Sequence, residues 1–163
     1  MNVLVIGRVN VVVATPDDMI LVVRNAHGER WSLPETEINL KFGVDQLETP
    51  VSSLVRSIGE QTGLWPKKEC ARLAALLWAP RGLVMLYNIL WHFGPGGDRL
   101  TRREGLESRF MSLSEIFQAD REFNLNHKRM IAVWQRQRHT SRIYEGYLSD
   151  EVAIVVDNKT LRI

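Results

Sequence analysis

Thr49-Pro50-Val51-Ser52-Ser53-Leu54-Val55-Arg56-Ser57-Ile58-Gly59-Glu60-Gln61-Thr62-Gly63-Leu64 spells out one helix together with both of its ends. The Thr49 hydroxyl can cap the free N–H groups of a first turn, and Pro50 suits the first helical position, where a missing N–H costs nothing. Val51, Val55 and Ile58 recur at three- and four-residue spacing. That predicts one apolar stripe, with Ser53, Arg56, Ser57, Glu60 and Gln61 on the opposite side. Gly63 fits the left-handed turn that closes such a helix, so the exit falls near Thr62. Upstream, Trp31-Ser32-Leu33-Pro34 reads as the loop that feeds it.

Around this helix lies a chain of 163 residues, 45% of them hydrophobic, which is enough for one domain with a real core. A formal net charge of +2 leaves attraction to nucleic acid dependent on a local basic patch. The lone cysteine, Cys70, has no intrachain disulfide partner and points to the cytoplasm. No charged leader precedes the apolar run at the N-terminus, and the apolar segment from Gly82 to Phe93 is too short to cross a bilayer. Neither export nor membrane insertion is expected. His27, His92, His127 and His139 lack the spacing of zinc ligands.

Read in order, the valine-rich run from Val3 to Ala14 and the run from Met19 to Arg24 predict two strands about a turn at Thr15-Pro16-Asp17-Asp18. Residues 35–47 show no clear period and predict an irregular loop. Ala71 to Ala79 and Leu83 to Phe93, joined at Pro80-Arg81-Gly82, predict a strand pair with Trp78, Tyr87 and Trp91 as core aromatics. Arg109-Phe110-Met111 predicts a short strand, and Ser112 or Ser114 can cap a brief helix after it. Asn126 is placed to cap a closing helix from His127 to about Arg138, whose Lys128, Arg129 and Arg136 would present a basic face. With no aromatic interleaving, that face reads as solvated rather than as a nucleic-acid surface. The tail, about 152–163, predicts a hairpin turning at Asp157-Asn158. Such a strand pair needs a partner, either the main sheet's edge or a second subunit in a homodimer.

The helix and its flanks resemble the Nudix hydrolase signature, G-x5-E-x7-R-E-U-x-E-E-x-G-U, where U is aliphatic. With Arg56 as the motif arginine, Glu48, Ile58, Glu60, Gly63 and Leu64 agree. Ser57 and Gln61 stand where the family has glutamates, and Phe42 stands at the first glycine. The family's Leu-Pro-Gly-Gly entry is here Leu33-Pro34-Glu35-Thr36, with about six extra residues before Glu48. The resemblance covers roughly residues 3–138 and implies an α/β (α+β) fold, a mixed β-sheet sandwiched between helices, in a single Nudix-like domain.

It also implies a chemistry, cleavage of the diphosphate linkage of a nucleoside diphosphate derivative with Mg2+ or Mn2+. Carboxylates on one helical face hold the hard cation against phosphate oxygens and help to activate water. By resemblance, Glu60 is the main metal ligand, with Gln61 and Ser57 beside it at positions where the family carries acids. Glu48, Arg56 and Gly63 shape the loop and helix, and Arg24 faces substrate phosphate. A substitute carboxylate would come from Glu35, Glu37, Glu104 or Glu107. Each of these, like Arg24, has the alternative of being a plain solvated charge. One carboxylate about 4 Å from the ion contributes roughly 4 kcal/mol per unit of metal charge at an effective dielectric near 20, so losing two weakens metal binding by orders of magnitude. Two readings therefore stand: a divergent hydrolase with a weakened metal site, or a catalytically inactive nucleotide-binding or regulatory module. In both, the partner is a nucleotide or other diphosphate-containing small molecule.

Overall fold

A computed structural model describes residues 5–25, 29–40, 49–79, 82–93, 99–101, 103–148, 153–156 and 159–162. Its centre is strand β1 (Val5–Ala14), whose Val9, Val11, Val12 and Val13 are fully buried. Such a run, apolar at successive positions, suits a strand covered on both faces. Along one edge β1 pairs in parallel with β5 (Gly82–Leu90), from Gly7 to Ala14. The other edge is shared: β3 (Glu35–Leu40) takes the first half, Val5 to Asn10, antiparallel, and β2 (Met19–Asn25) takes the far end at Ala14. The Trp31–Pro34 segment, which precedes β3, therefore sits where the two strands part.

Strand β4 (Ala71–Ala79) pairs antiparallel with β5, and β6 (Leu106–Ser112) pairs antiparallel with β2. A short β7 (Tyr144–Tyr147) runs parallel to β4 at the far edge and completes a seven-stranded mixed sheet. Helix α1 (Pro50–Thr62) covers one face, packing Leu54 and Ile58 against Val9, Val11 and Leu21. Helices α2 (Leu113–Gln118) and α3 (Leu125–Gln137) cover the other, packing Ile116, Ile131 and Trp134 against Val12, Ile20 and Leu86. This is the mixed sheet between helices that the resemblance implied.

The ends of α1 are as expected: the Thr49 side chain accepts from Ser52 N, and Gly63 closes the helix at φ 80°. Its buried stripe is rotated from the expected one, because Leu54 and Ser53 turn inward with Ile58 while Val55 is half-buried. Ser53 is tolerated there because its hydroxyl meets that of Thr36.

Other expectations are corrected. The predicted loop at 35–47 begins as strand β3; Glu35, Glu37 and Asn39 alternate with Thr36, Ile38 and Leu40, a two-residue period that pairing with β1 makes decisive. Residues 41–48, Glu48 among them, lie outside the described residues. Trp78 is exposed rather than core, because it lies on the outer strand pair β4–β7, beyond the reach of α1. The cap of α3 is Asn124, two residues earlier than expected, and its side chain accepts from His127 N. Lys128 and Arg129 are buried, so the expected basic face is broken, and burial pushes the Lys128 ammonium below its usual pKa. Strand β7 was not foreseen. The terminal hairpin is present as β8 (Ala153–Val156) and β9 (Lys159–Arg162), which pair with each other apart from the main sheet.

Candidate functional site

Where β2 and β3 part, the Trp31–Pro34 segment is clamped from three sides. Ser32 exchanges backbone hydrogen bonds with Val23 of β2, and Pro34 O accepts from Val11 N of β1. Trp31 N donates to Glu122 O, and Asn124 N donates to Trp31 O, so the segment is also tied to the start of α3. Leu33 N donates to His127 Nδ1 at 2.9 Å. An N–H needs an acceptor, so this contact assigns the lone pair of His127 to Nδ1 and its proton to Nε2.

That Nε2 lies 3.3 Å from Glu35 Oε2, and Asn10 Nδ2 donates to the same oxygen at 3.2 Å. The hydrogen bond from His127, helped by Asn10 and the charge of Arg8, holds the Glu35 carboxyl below its ordinary pKa although partial burial opposes the shift. Behind it, Ser57 Oγ of α1 donates to the Glu35 carbonyl. A hydroxyl can make that contact; a carboxylate at position 57 would set negative charge against the same oxygen.

Beside the clamp lies a groove of about 580 Å³ whose walls include Arg24, Trp31, Thr101, Arg103, Glu107 and Arg109. The antiparallel register sets Arg24 opposite Glu107, and Arg24 Nε donates to Glu107 Oε2 at 2.5 Å. The guanidinium carbons of Arg24 and Arg109 sit 4.4 and 4.7 Å from the Trp31 ring centroid, a double cation–π stack. Thr101 is held at the wall by α1, its N–H donating to Thr62 O. A second cavity of about 220 Å³ shares Arg24 and Leu106 with the groove and adds Glu29, Arg30, Glu35 and Gln61. Gln61, in its wall, has its Oε1 buried without a hydrogen-bond partner.

Of the residues singled out from the sequence, Arg24, Glu35 and Gln61 meet at this second cavity, and Glu107 joins Arg24 at the groove. Glu60 and Arg56 lie on the exposed side of α1, and Glu37 and Glu104 are exposed. Glu60 is not among the described residues that line either cavity. Among the described residues, the donor set does not fit a resident divalent ion. No three His, Cys, Asp or Glu side chains come together for one among the described residues, and Glu35 and Glu107 are engaged by His127 and Arg24. Sequence reading missed Arg103, Arg109, Asn10 and His127. Only the β2–β6 register places Arg109 by Trp31, and His127 is 94 positions from its Leu33 partner.

No family profile matches the sequence, and no curated protein sequence matches it. Solved structures do match the fold. The Nudix domain of NrtR from Shewanella oneidensis, solved with ADP ribose, superposes with a TM-score of 0.59 at 18% identity, covering 82% of this chain and 88% of that one. A bifunctional NMN adenylyltransferase/ADP-ribose pyrophosphatase from Francisella tularensis, solved with AMP and a manganese ion, gives 0.60 at 19% identity. That match covers 81% of this chain, which spans only 41% of the bifunctional one. A MutT protein from Methanosarcina mazei gives 0.58 at 16%, covering 83% and 96%. No helix among the described residues is long and apolar enough to cross a membrane. With seven strands in this order, α1 on one face and α2 and α3 on the other, the chain has the Nudix fold.

Proposed function

We propose that this chain binds a nucleoside diphosphate derivative or a related diphosphate-containing small molecule in the groove beside Trp31, as a binding or regulatory module rather than an efficient hydrolase. The observation that carries this is the unequal fate of the two halves of the site. Its cationic half outweighs the acid beside it: Arg24, Arg103 and Arg109 line one groove with Glu107, which takes only Arg24 Nε, and two of the three guanidinia are fixed against an indole. A planar guanidinium stacked on a ring keeps its N–H edge for oxygen anions such as phosphate. The acidic half is depleted: α1 offers Glu60 but Ser57 and Gln61, and Ser57 is committed to the Glu35 carbonyl. That Nudix-fold structures have been solved with ADP ribose and with AMP supports the ligand class.

The weakened hydrolase is the second reading, favoured by the accessible Glu60 and the unpartnered Gln61 oxygen. A hydrolysis panel over nucleoside triphosphates, dinucleoside polyphosphates, sugar nucleotides and capped RNA, with Mg2+ and with Mn2+, separates the two. The expected result is binding of at least one compound with very weak or no turnover. Robust turnover that disappears in Glu60→Gln would establish the hydrolase instead.

A further inference from the structure

We infer that the groove and the smaller cavity form one site for a phosphorylated sugar, with phosphate at Arg24, Arg103 and Arg109 and sugar hydroxyls at Glu35 and Gln61. The inference rests on the proposed anion-binding role of the groove and goes beyond it by naming which part of the ligand is recognised.

Size is the first argument. Small-molecule sites occupy roughly 300–1,000 Å³, so the groove at about 580 Å³ can hold a ligand while the cavity at about 220 Å³ is too small alone. Because Arg24 and Leu106 wall both, the two spaces adjoin, and a ligand in the larger can reach toward the smaller. Hydrogen-bonding character is the second. Beside its two arginines the smaller cavity carries acceptors: the Glu29 carboxylate, the Glu35 carboxylate, fixed by His127 and Asn10 with a third of its side chain still accessible, and Gln61, whose Oε1 is buried and unpartnered. A buried acceptor without a donor carries a desolvation cost that a ligand donor removes. Arg24 and Arg30 in the same walls balance the charge of Glu29 and Glu35, so the walls call for no net ligand charge and neutral hydroxyls are matching donors.

The third argument concerns the base. Trp31 is only 5% exposed, and it is the one aromatic among the described residues that line the two cavities. Two guanidinia already stack on its ring, so the site offers no open aromatic platform for a nucleobase. Recognition of the sugar phosphate accounts for the chemistry of the walls without one.

Calorimetric titration of the full chain with inorganic phosphate, ribose 5-phosphate and AMP tests this. Ribose 5-phosphate should bind at least about tenfold tighter than phosphate, and AMP no tighter than ribose 5-phosphate. Gln61→Leu should remove most of the sugar advantage while leaving phosphate affinity unchanged; Arg109→Ala should weaken all three ligands together. Glu35→Gln, which keeps the side chain's shape, should also lower the sugar advantage. Equal affinity for phosphate and ribose 5-phosphate, or an AMP affinity about tenfold above that of ribose 5-phosphate, would overturn the inference and leave the anion groove standing. No binding of any of the three, with Arg109→Ala indistinguishable from the parent, would overturn the groove as well.

Discussion

Glu35 occupies the place of a glycine in the family's Leu-Pro-Gly-Gly entry, and its carboxylate ties β3 to α3 through His127 and to β1 through Asn10. Because its folded-state pKa is depressed below the ordinary 4.5, the unfolded chain binds more protons in the window beneath that value. The contribution of Glu35 to stability is therefore fully present above about pH 4.5 and is lost as pH falls through the folded-state pKa. Glu35→Gln should remove this part of the pH dependence. Its cost at neutral pH should be on the order of 1 kcal/mol, a modest figure because a third of the side chain is screened by solvent. Urea unfolding of parent and variant at several pH values between about 3 and 6 checks it. Parallel curves would mean that Glu35 does not contribute as described. None of these partners follows from the local sequence: Asn10, Glu35 and His127 are brought together only by the strand order and the packing of α3.

At the scale of the element, α1 owes its placement to its ends. Gly63 adopts φ +80°, and a Cβ there would lie 2.3 Å from Thr101 Oγ1, so one glycine both terminates the helix and admits the groove wall. Gly63→Ala combines left-handed strain of about 1–2 kcal/mol with displacement of Thr101. The expected outcome is a lower urea midpoint together with weaker phosphate binding. Loss of stability with unchanged binding would show that Thr101 does not shape the groove. The helix was legible because its signals are local: Thr49, Pro50 and Gly63 act on neighbouring backbone. The same holds for Ser112, whose capping box with Glu115 opens α2. Strand β3 was hidden because its alternation is short and two of its first three residues are glutamates, and β7 because four residues gain strand character only from the β4 edge. Trp78 misled for a related reason. An apolar run marks a strand, but the reach of α1 decides which of its side chains are covered.

For the whole molecule, the arrangement of the sheet and its helices could be read because the resemblance carried the element order, and the structure bears that order out. The site was less legible. Arg24, Glu35 and Gln61 share a cavity, but the guanidinium stack on Trp31 depends on the β2–β6 register, which residue types along one chain do not encode. The central proposal is that α1, which resembles a metal-gripping helix, lacks the charge to act as one. Titration of the full chain with Mn2+, followed calorimetrically, tests this most directly. The parent should show no saturable binding below about millimolar, and Ser57→Glu with Gln61→Glu should tighten binding by at least about tenfold. Saturation of the parent at micromolar Mn2+, abolished by Glu60→Gln, would contradict it.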